Sequence, residues 1–155
     1  MAENTILIID DENDEIFFIE KVLKAEKLNT LSANNAADAL NIVQKNNIDL
    51  ILLDITLPGT DGFEICKLLK SNPKTKDLPV IFITGLDTPD IVVKGLSLGA
   101  VDYIKKPFNI IELLLRINIQ LKLYNTQRNL KLELEQKKQI ETDLDEKIKN
   151  NEIEP

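Results

Sequence analysis

Short unbroken apolar runs alternate along this chain with stretches whose apolar residues recur every three or four positions. The runs are Thr5–Ile9 (TILII), Asn29–Ala33 (NTLSA, the weakest), Leu50–Leu53 (LILL), Pro79–Thr84 (PVIFIT) and Val101–Ile104 (VDYI). Continuous runs of this length, with little polar alternation, predict strands covered on both faces. The intervening stretches have helical spacing. Ile16–Glu26 carries Ile16, Ile19, Val22 and Leu23; Asn35–Asn46 carries Ala36, Ala39, Leu40 and Val43; Gly62–Ser71 carries Phe63, Ile65, Cys66, Leu68 and Leu69. Asn13 or Asp14 is the expected cap of the first helix. Thr88–Ala100 reads as a helix capped by Thr88, opened by Pro89 and stopped by Gly99. Helix resumes after Lys105-Lys106-Pro107-Phe108-Asn109, where Phe108 reads as core. Right-handed crossovers fold such βα units into a doubly wound α/β sandwich on a five-stranded parallel sheet.

The pattern changes near the C-terminus. From Asn109 to Asn150 there is no Gly or Pro, and Leu, Lys, Glu, Gln and Asn dominate. Leu130, Leu134, Leu144 and Ile148 fit a and d positions of one heptad frame, with Lys137 and Glu141 as polar breaks. An earlier stripe, Leu113, Ile117, Leu121 and Tyr124, runs in a shifted phase. So long a helix reads as one that leaves its domain and pairs with a partner in a coiled coil; a solvated tail or linker is the alternative. The expected division is residues 1–122 as the globular domain, 123–150 as its helical extension and 151–155 as a frayed tail. The chain stops without an obvious output domain, so it reads as an excised fragment.

Composition narrows the chemistry. The 155 residues carry a net charge of −7, which argues against direct nucleic-acid contact by this chain. No apolar run approaches the roughly 18–20 residues of a membrane span, and the N-terminus lacks a basic signal-peptide region. A cytoplasmic location away from membranes is the expectation. The single cysteine, Cys66, excludes an internal disulfide and reads as a small core residue. There is no histidine, which removes Ser-His-Asp and Cys-His catalysis and the commonest zinc ligand. Carboxylates, Lys, Thr or a hard cation must supply any chemistry.

Those groups sit at the predicted carboxyl ends of strands, where open α/β sheets place their sites. The first strand ends in Asp10-Asp11, the third in Asp54, the fourth in Thr84-Gly85 and the fifth in Lys105-Lys106-Pro107. Singly, each acid reads as a helix cap. Together they would crowd carboxylates that repel unless a cation or a lysine neutralises them. Carboxylate and carbonyl oxygens suit Mg²⁺, for which Mn²⁺ is an acceptable substitute. Lys and Thr suit phosphoryl oxygens. The set reads as a phosphoryl-binding centre in which Asp54 attacks phosphorus to give an acyl phosphate.

The motifs IIDDE (Asp10, Asp11), LLDITLPGTDGFE (Asp54), VIFITG (Thr84) and GAVDYIKKPFN (Tyr103, Lys106, Pro107) resemble the receiver domain of two-component response regulators. The resemblance covers about Asn4 to Lys122 and implies the chemotaxis-regulator, flavodoxin-like (βα)5 fold. It implies Asp54 as phospho-acceptor, and Asp10, Asp11, Asp54 and the backbone carbonyl of Thr56 around Mg²⁺. Lys106 would pair with the phosphoryl group, while Lys105 would point away from the site because a strand alternates faces. The Lys106-Pro107 bond would be cis, Thr84 and Tyr103 would form the switch pair, and Gly85 would let the backbone approach the phosphoryl oxygens. Side chains at Thr56 and Leu86 would flank the hydrolytic water, and their weak ability to orient it implies a phosphoryl state lasting minutes or more. A histidine kinase or histidine phosphotransfer protein would be the donor. The chain would be no turnover enzyme, catalysing only its own phosphorylation and dephosphorylation. Homodimerisation through the fifth helix and its extension would carry the signal to a downstream domain or partner. Two alternatives stand beside this: a pseudo-receiver serving as an interaction or dimerisation module, and an aspartyl-phosphate-forming phosphatase, whose usual second Asp is replaced here by Thr56.

Overall fold

A computed structural model describes residues 3–86 and 88–150. Strands β1 (Thr5–Ile9), β2 (Asn29–Ala33), β3 (Leu50–Asp54), β4 (Val80–Thr84) and β5 (Asp102–Lys105) alternate with helices α1 (Asn13–Ala25), α2 (Ala36–Lys45), α3 (Gly62–Ser71), α4 (Pro89–Ser97) and α5 (Ile110–Lys149). All strand pairings are parallel and the sheet order is β2-β1-β3-β4-β5. The order reverses beside β1, so β1 and β3 share the central seam, with Ile9 opposite Leu53. This is the doubly wound parallel sheet expected from the pattern, in the flavodoxin-like order that the resemblance implied. β3 and β4 are buried along their whole length, as unbroken apolar runs require.

Alternation along the strands divides the core. Ile6, Ile8, Leu50, Leu52, Ile81, Ile83 and Ile104 pack with Ile16, Ile19 and Leu23 of α1 and with Leu113, Ile117 and Leu121 of α5. On the other face Phe82 meets Phe63 of α3 edge-on at 5.5 Å. Gly95 of α4 lies so close to that ring that an added Cβ would stand 3.0 Å from it. Cys66 is fully buried, whereas Phe108 is only partly buried, packed against the α1/α5 side of the core and 6.1 Å from Phe18.

Local differences from the sequence pattern have local causes. Glu12, rather than Asn13 or Asp14, occupies the N-cap position of α1 and makes no side-chain cap. Its N–H is bound by the Asp10 carboxylate and its carbonyl accepts from Ile16 N–H, so both Asn13 and Asp14 fall inside the first turn. Thr88 stands at the N-cap position of α4 without a side-chain hydrogen bond, and Pro89 opens the helix. α2 and α3 have true caps: Asn35 accepts from Asp38 N–H and Asp61 from Glu64 N–H. Gly99, at φ +103°, turns the chain after α4. β5 begins one residue later than its apolar run, leaving Val101 exposed.

The chain divides into two units, Met1–Leu121 and Lys122–Pro155. The first contains the sheet and its core. The second, as far as it is described, is helical to Lys149. Its Leu130, Leu132, Leu134, Ile140 and Leu144 are all exposed. The predicted frayed tail, 151–155, lies outside the described residues.

Candidate functional site

Because β1 and β3 are neighbours in register, Asp10, just after β1, and Asp54, the last residue of β3, come side by side at the carboxyl edge of the sheet. Both are buried, at 3% and 7% exposure. Asp11, one residue further on, is exposed, yet carboxylate oxygens of Asp10, Asp11 and Asp54 lie within 4.8 Å of one another. The two buried acids are held alike. One oxygen of each accepts a backbone N–H two residues ahead: Asp10 Oδ1 from Glu12 and Asp54 Oδ1 from Thr56, both at 3.0 Å. The other oxygen of each faces Lys106, whose Nζ is 3.4 Å from Asp10 Oδ2 and 3.0 Å from Asp54 Oδ2.

Lys106 follows directly after β5, and its N–H donates to the Thr84 carbonyl at 2.8 Å, fixing the strand end from which its side chain reaches into the pocket. Lys105 is exposed, as strand alternation predicts. The Lys106-Pro107 peptide bond is cis. The closest acid to the ammonium is Glu15 of α1, with Oε2 at 2.8 Å. Three carboxylates, Asp10, Glu15 and Asp54, therefore gather around one ammonium.

The electrostatic consequences differ by group. Burial pushes the Asp10 carboxyl up to about 7; the neighbouring Glu15 and Asp54 charges add to the rise, against the Glu12 N–H bond and the Lys106 charge. Burial pulls Lys106 downward, but its bonds to Glu15 and Asp54 and the nearby Asp10 charge more than offset this and hold it above the ordinary lysine range. The donor set is all oxygen, which fits a hard divalent cation such as Mg²⁺.

Thr84 ends β4 and is buried; its Oγ1 accepts the Leu86 N–H at 3.1 Å. The Tyr103 hydroxyl donates to the Leu86 carbonyl. The expected switch pair thus meets through one intervening residue rather than directly. Thr56 and Leu86 are both exposed at the surface.

Sequence reasoning missed three participants. Glu15 sits on an apparently solvated face of α1, 91 positions from Lys106, and no local spacing announces that contact. Leu86 takes part through its backbone, to which residue type is blind. Gly62 read correctly as the first residue of a helix and starts α3, but its close approach to the end of β3 was not foreseen. A Cβ there would lie 2.4 Å from the Asp54 carbonyl oxygen and 2.7 Å from Ile55 Cα. The signal for it was the Asp61-Gly62 pair itself, a cap followed by a residue with no side chain.

The model of one protein family, the response regulator receiver domain, matches residues 6–118. The chain belongs to that family. Receiver domains act in two-component signal transduction, and the acidic pocket is typical of their phospho-acceptor and Mg²⁺ site. The chain is 41% identical over 119 residues to the regulatory protein VanR of Enterococcus faecium, covering 77% of this chain and 50% of VanR. It is 38% identical over 144 residues to a Vibrio cholerae protein named as a probable cyclic di-GMP phosphodiesterase, covering 93% of this chain and 32% of that one. The receiver thus spans half or less of the length of these relatives. Among solved structures, the receiver domain of the Francisella response regulator 1452 matches with TM-score 0.72 and 32% identity, covering 77% of this chain and 98% of that one. The BeF3-activated receiver domain of Klebsiella pneumoniae RstA matches with TM-score 0.71 and 29% identity, covering 76% and 98%. Among the described residues, no helix is long and apolar enough to cross a membrane.

Proposed function

We propose that this receiver takes a phosphoryl group onto Asp54 from the phosphohistidine of a histidine kinase or histidine phosphotransfer protein, and switches a downstream domain or partner. The observation that carries this reading is the Asp54 carboxylate, buried and oriented by Thr56 N–H and Lys106 Nζ inside a cluster of further acids. A carboxylate oxygen of Asp54 forms the new O–P bond as the N–P bond of the donor breaks, and the departing imidazole takes up a proton. Mg²⁺ or Mn²⁺ held by Asp10, Asp11, Asp54 and the Thr56 carbonyl would supply positive charge to the equatorial phosphoryl oxygens. Lys106 already lies at hydrogen-bonding distance from Asp54 and needs only a small shift to meet the incoming group. Burial and the strand-end frame keep the acid from rotating away.

The switch follows from the Thr84–Leu86–Tyr103 bonds. Thr84 Oγ1 accepts from Leu86 N–H, which leaves the hydroxyl proton for a phosphoryl oxygen. Drawing Thr84 inward pulls on the Leu86 peptide, the acceptor of the Tyr103 hydroxyl, and so biases Tyr103 between two positions. The complete pocket favours this reading over a pseudo-receiver, and Thr56 at the second position after Asp54 disfavours a phosphatase, which needs an acid there. The domain acts as a self-modifying switch, not a turnover enzyme.

Incubation with acetyl phosphate and Mg²⁺, read by intact mass, tests the proposal. One added phosphoryl group in the wild type and none in Asp54→Asn is expected. A mutant that still takes up the label places the acceptor elsewhere and overturns the assignment.

A further inference from the structure

The second unit exposes an apolar stripe that its own helix cannot bury: Leu130 is 56% exposed, Leu134 53% and Leu144 47%. With Ile148 these residues form the a and d seam of one heptad frame, interrupted by Lys137 at d and Glu141 at a. What covers such a seam is decided by those two charges. In a parallel pair of identical helices each core residue faces its own copy, so Lys137 would face Lys137 and Glu141 would face Glu141. In an antiparallel pair each a residue faces a d residue.

We infer that the extension pairs with a second copy of itself in antiparallel orientation, its two-fold axis level with Gln139. In that register Leu130 faces Ile148, Leu134 faces Leu144 and Lys137 faces Glu141, each pairing occurring twice by symmetry. The flanking positions agree. Glu133 comes opposite Lys147, and Lys131 opposite Asp145. Ile140, 65% exposed at the edge of the seam in the isolated chain, meets its own copy across the axis. The one like-charge contact is Lys138 with Lys138, at the solvated rim. A parallel pair retains a favourable Glu133–Lys138 contact but places two like-charge layers in the middle of its core, where repulsion is least screened. The seam from Leu130 to Ile148 is about 27 Å long. The charges that break the apolar pattern thus set direction and register, as a polar core residue does in other coiled coils. This inference rests on the helix alone and does not depend on phosphorylation at Asp54.

Sedimentation equilibrium on the full chain is expected to show a reversible monomer–dimer system. Lys137→Glu puts like charges face to face in both central layers and weakens association about a hundredfold. The exchange Lys137→Glu with Glu141→Lys restores it. Orientation is read by disulfide formation. Cys66 is fully buried, so introduced thiols report alone. Ile140→Cys should link to itself, and Leu134→Cys should link to Leu144→Cys when the two variants are mixed. Self-linking of Leu144→Cys, with none for Ile140→Cys, would make the pair parallel and overturn the inference. A wild-type chain monomeric throughout the concentration range would overturn it as well.

Discussion

β3 is bounded by two acids. Asp49 precedes it and Asp54 ends it, and they are buried almost equally, at 8% and 7% exposure. At the first end, Asp49 Oδ2 accepts the Thr5 N–H at 2.8 Å while the Asp49 N–H donates to the Thr5 carbonyl at 2.9 Å. That acid closes the amino edge of the sheet onto β1. At the other end, Asp54 meets a lysine and further carboxylates. Burial of a carboxylate is therefore no sign of chemistry. What distinguishes the two is company: Asp49 ties into the backbone of the neighbouring strand, while Asp54 shares a single ammonium with competing acids, an arrangement consistent with a divalent-cation site.

The sharpest way to break this comparison is to neutralise each acid separately. Asp54→Asn should abolish phosphoryl uptake and leave folding intact. Asp49→Asn should keep uptake near wild type while lowering stability by about 1 kcal/mol, the scale of one weakened buried hydrogen bond. Urea melts and phosphorylation assays on both variants check this, and loss of uptake in a well-folded Asp49→Asn would erase the distinction.

Two glycines sharpen the contrast at the carboxyl edge. Gly62→Ala drives a methyl group into the Asp54 backbone and should cost about 2 kcal/mol, with loss of uptake through the displaced acid. Gly85→Ala meets nothing within 4 Å and should leave stability within about 0.5 kcal/mol of wild type. Equal destabilisation by the two would contradict the close approach at Gly62.

A last test is a pH slope rather than a single substitution. Folding raises the Asp10 carboxyl from 3.8 to about 7, so between these values the folded domain holds a proton that the unfolded chain releases. The stability this group contributes is fully present below about pH 4 and is lost as pH rises towards 7. In chelator, subtracting the melt series of Asp10→Asn from that of wild type should show that decline. A rise over the same interval would reverse the sign and refute it. Divalent cations compete with the same proton and should bind more tightly as pH increases.

Much of this was legible in the sequence for one physical reason. Strands buried on both faces must be apolar throughout, so each break into Asp, Thr or Lys marks a strand end, and parallel strands present those ends on one edge. Asp10, Asp11, Asp54, Thr84 and Lys106 could be read this way. The first-helix cap could not, because Asp10 had already claimed the Glu12 N–H for the pocket. Glu15 stayed hidden because an acid in a first helical turn has an adequate local explanation in the helix dipole. β5 slipped by one residue because a four-residue strand offers too little pattern to fix its ends.

The bonds around Leu86 carry a consequence for how such a switch can change over time. Thr84 and Tyr103 hold this residue only by its peptide N–H and C=O. Any amino acid except proline keeps both bonds, and the side chain, half in solvent, is free to be replaced. In the proposed switch, many residue types could therefore stand at this position, and with them the lifetime of the phosphoryl state could change, without breaking the linkage between Thr84 and Tyr103.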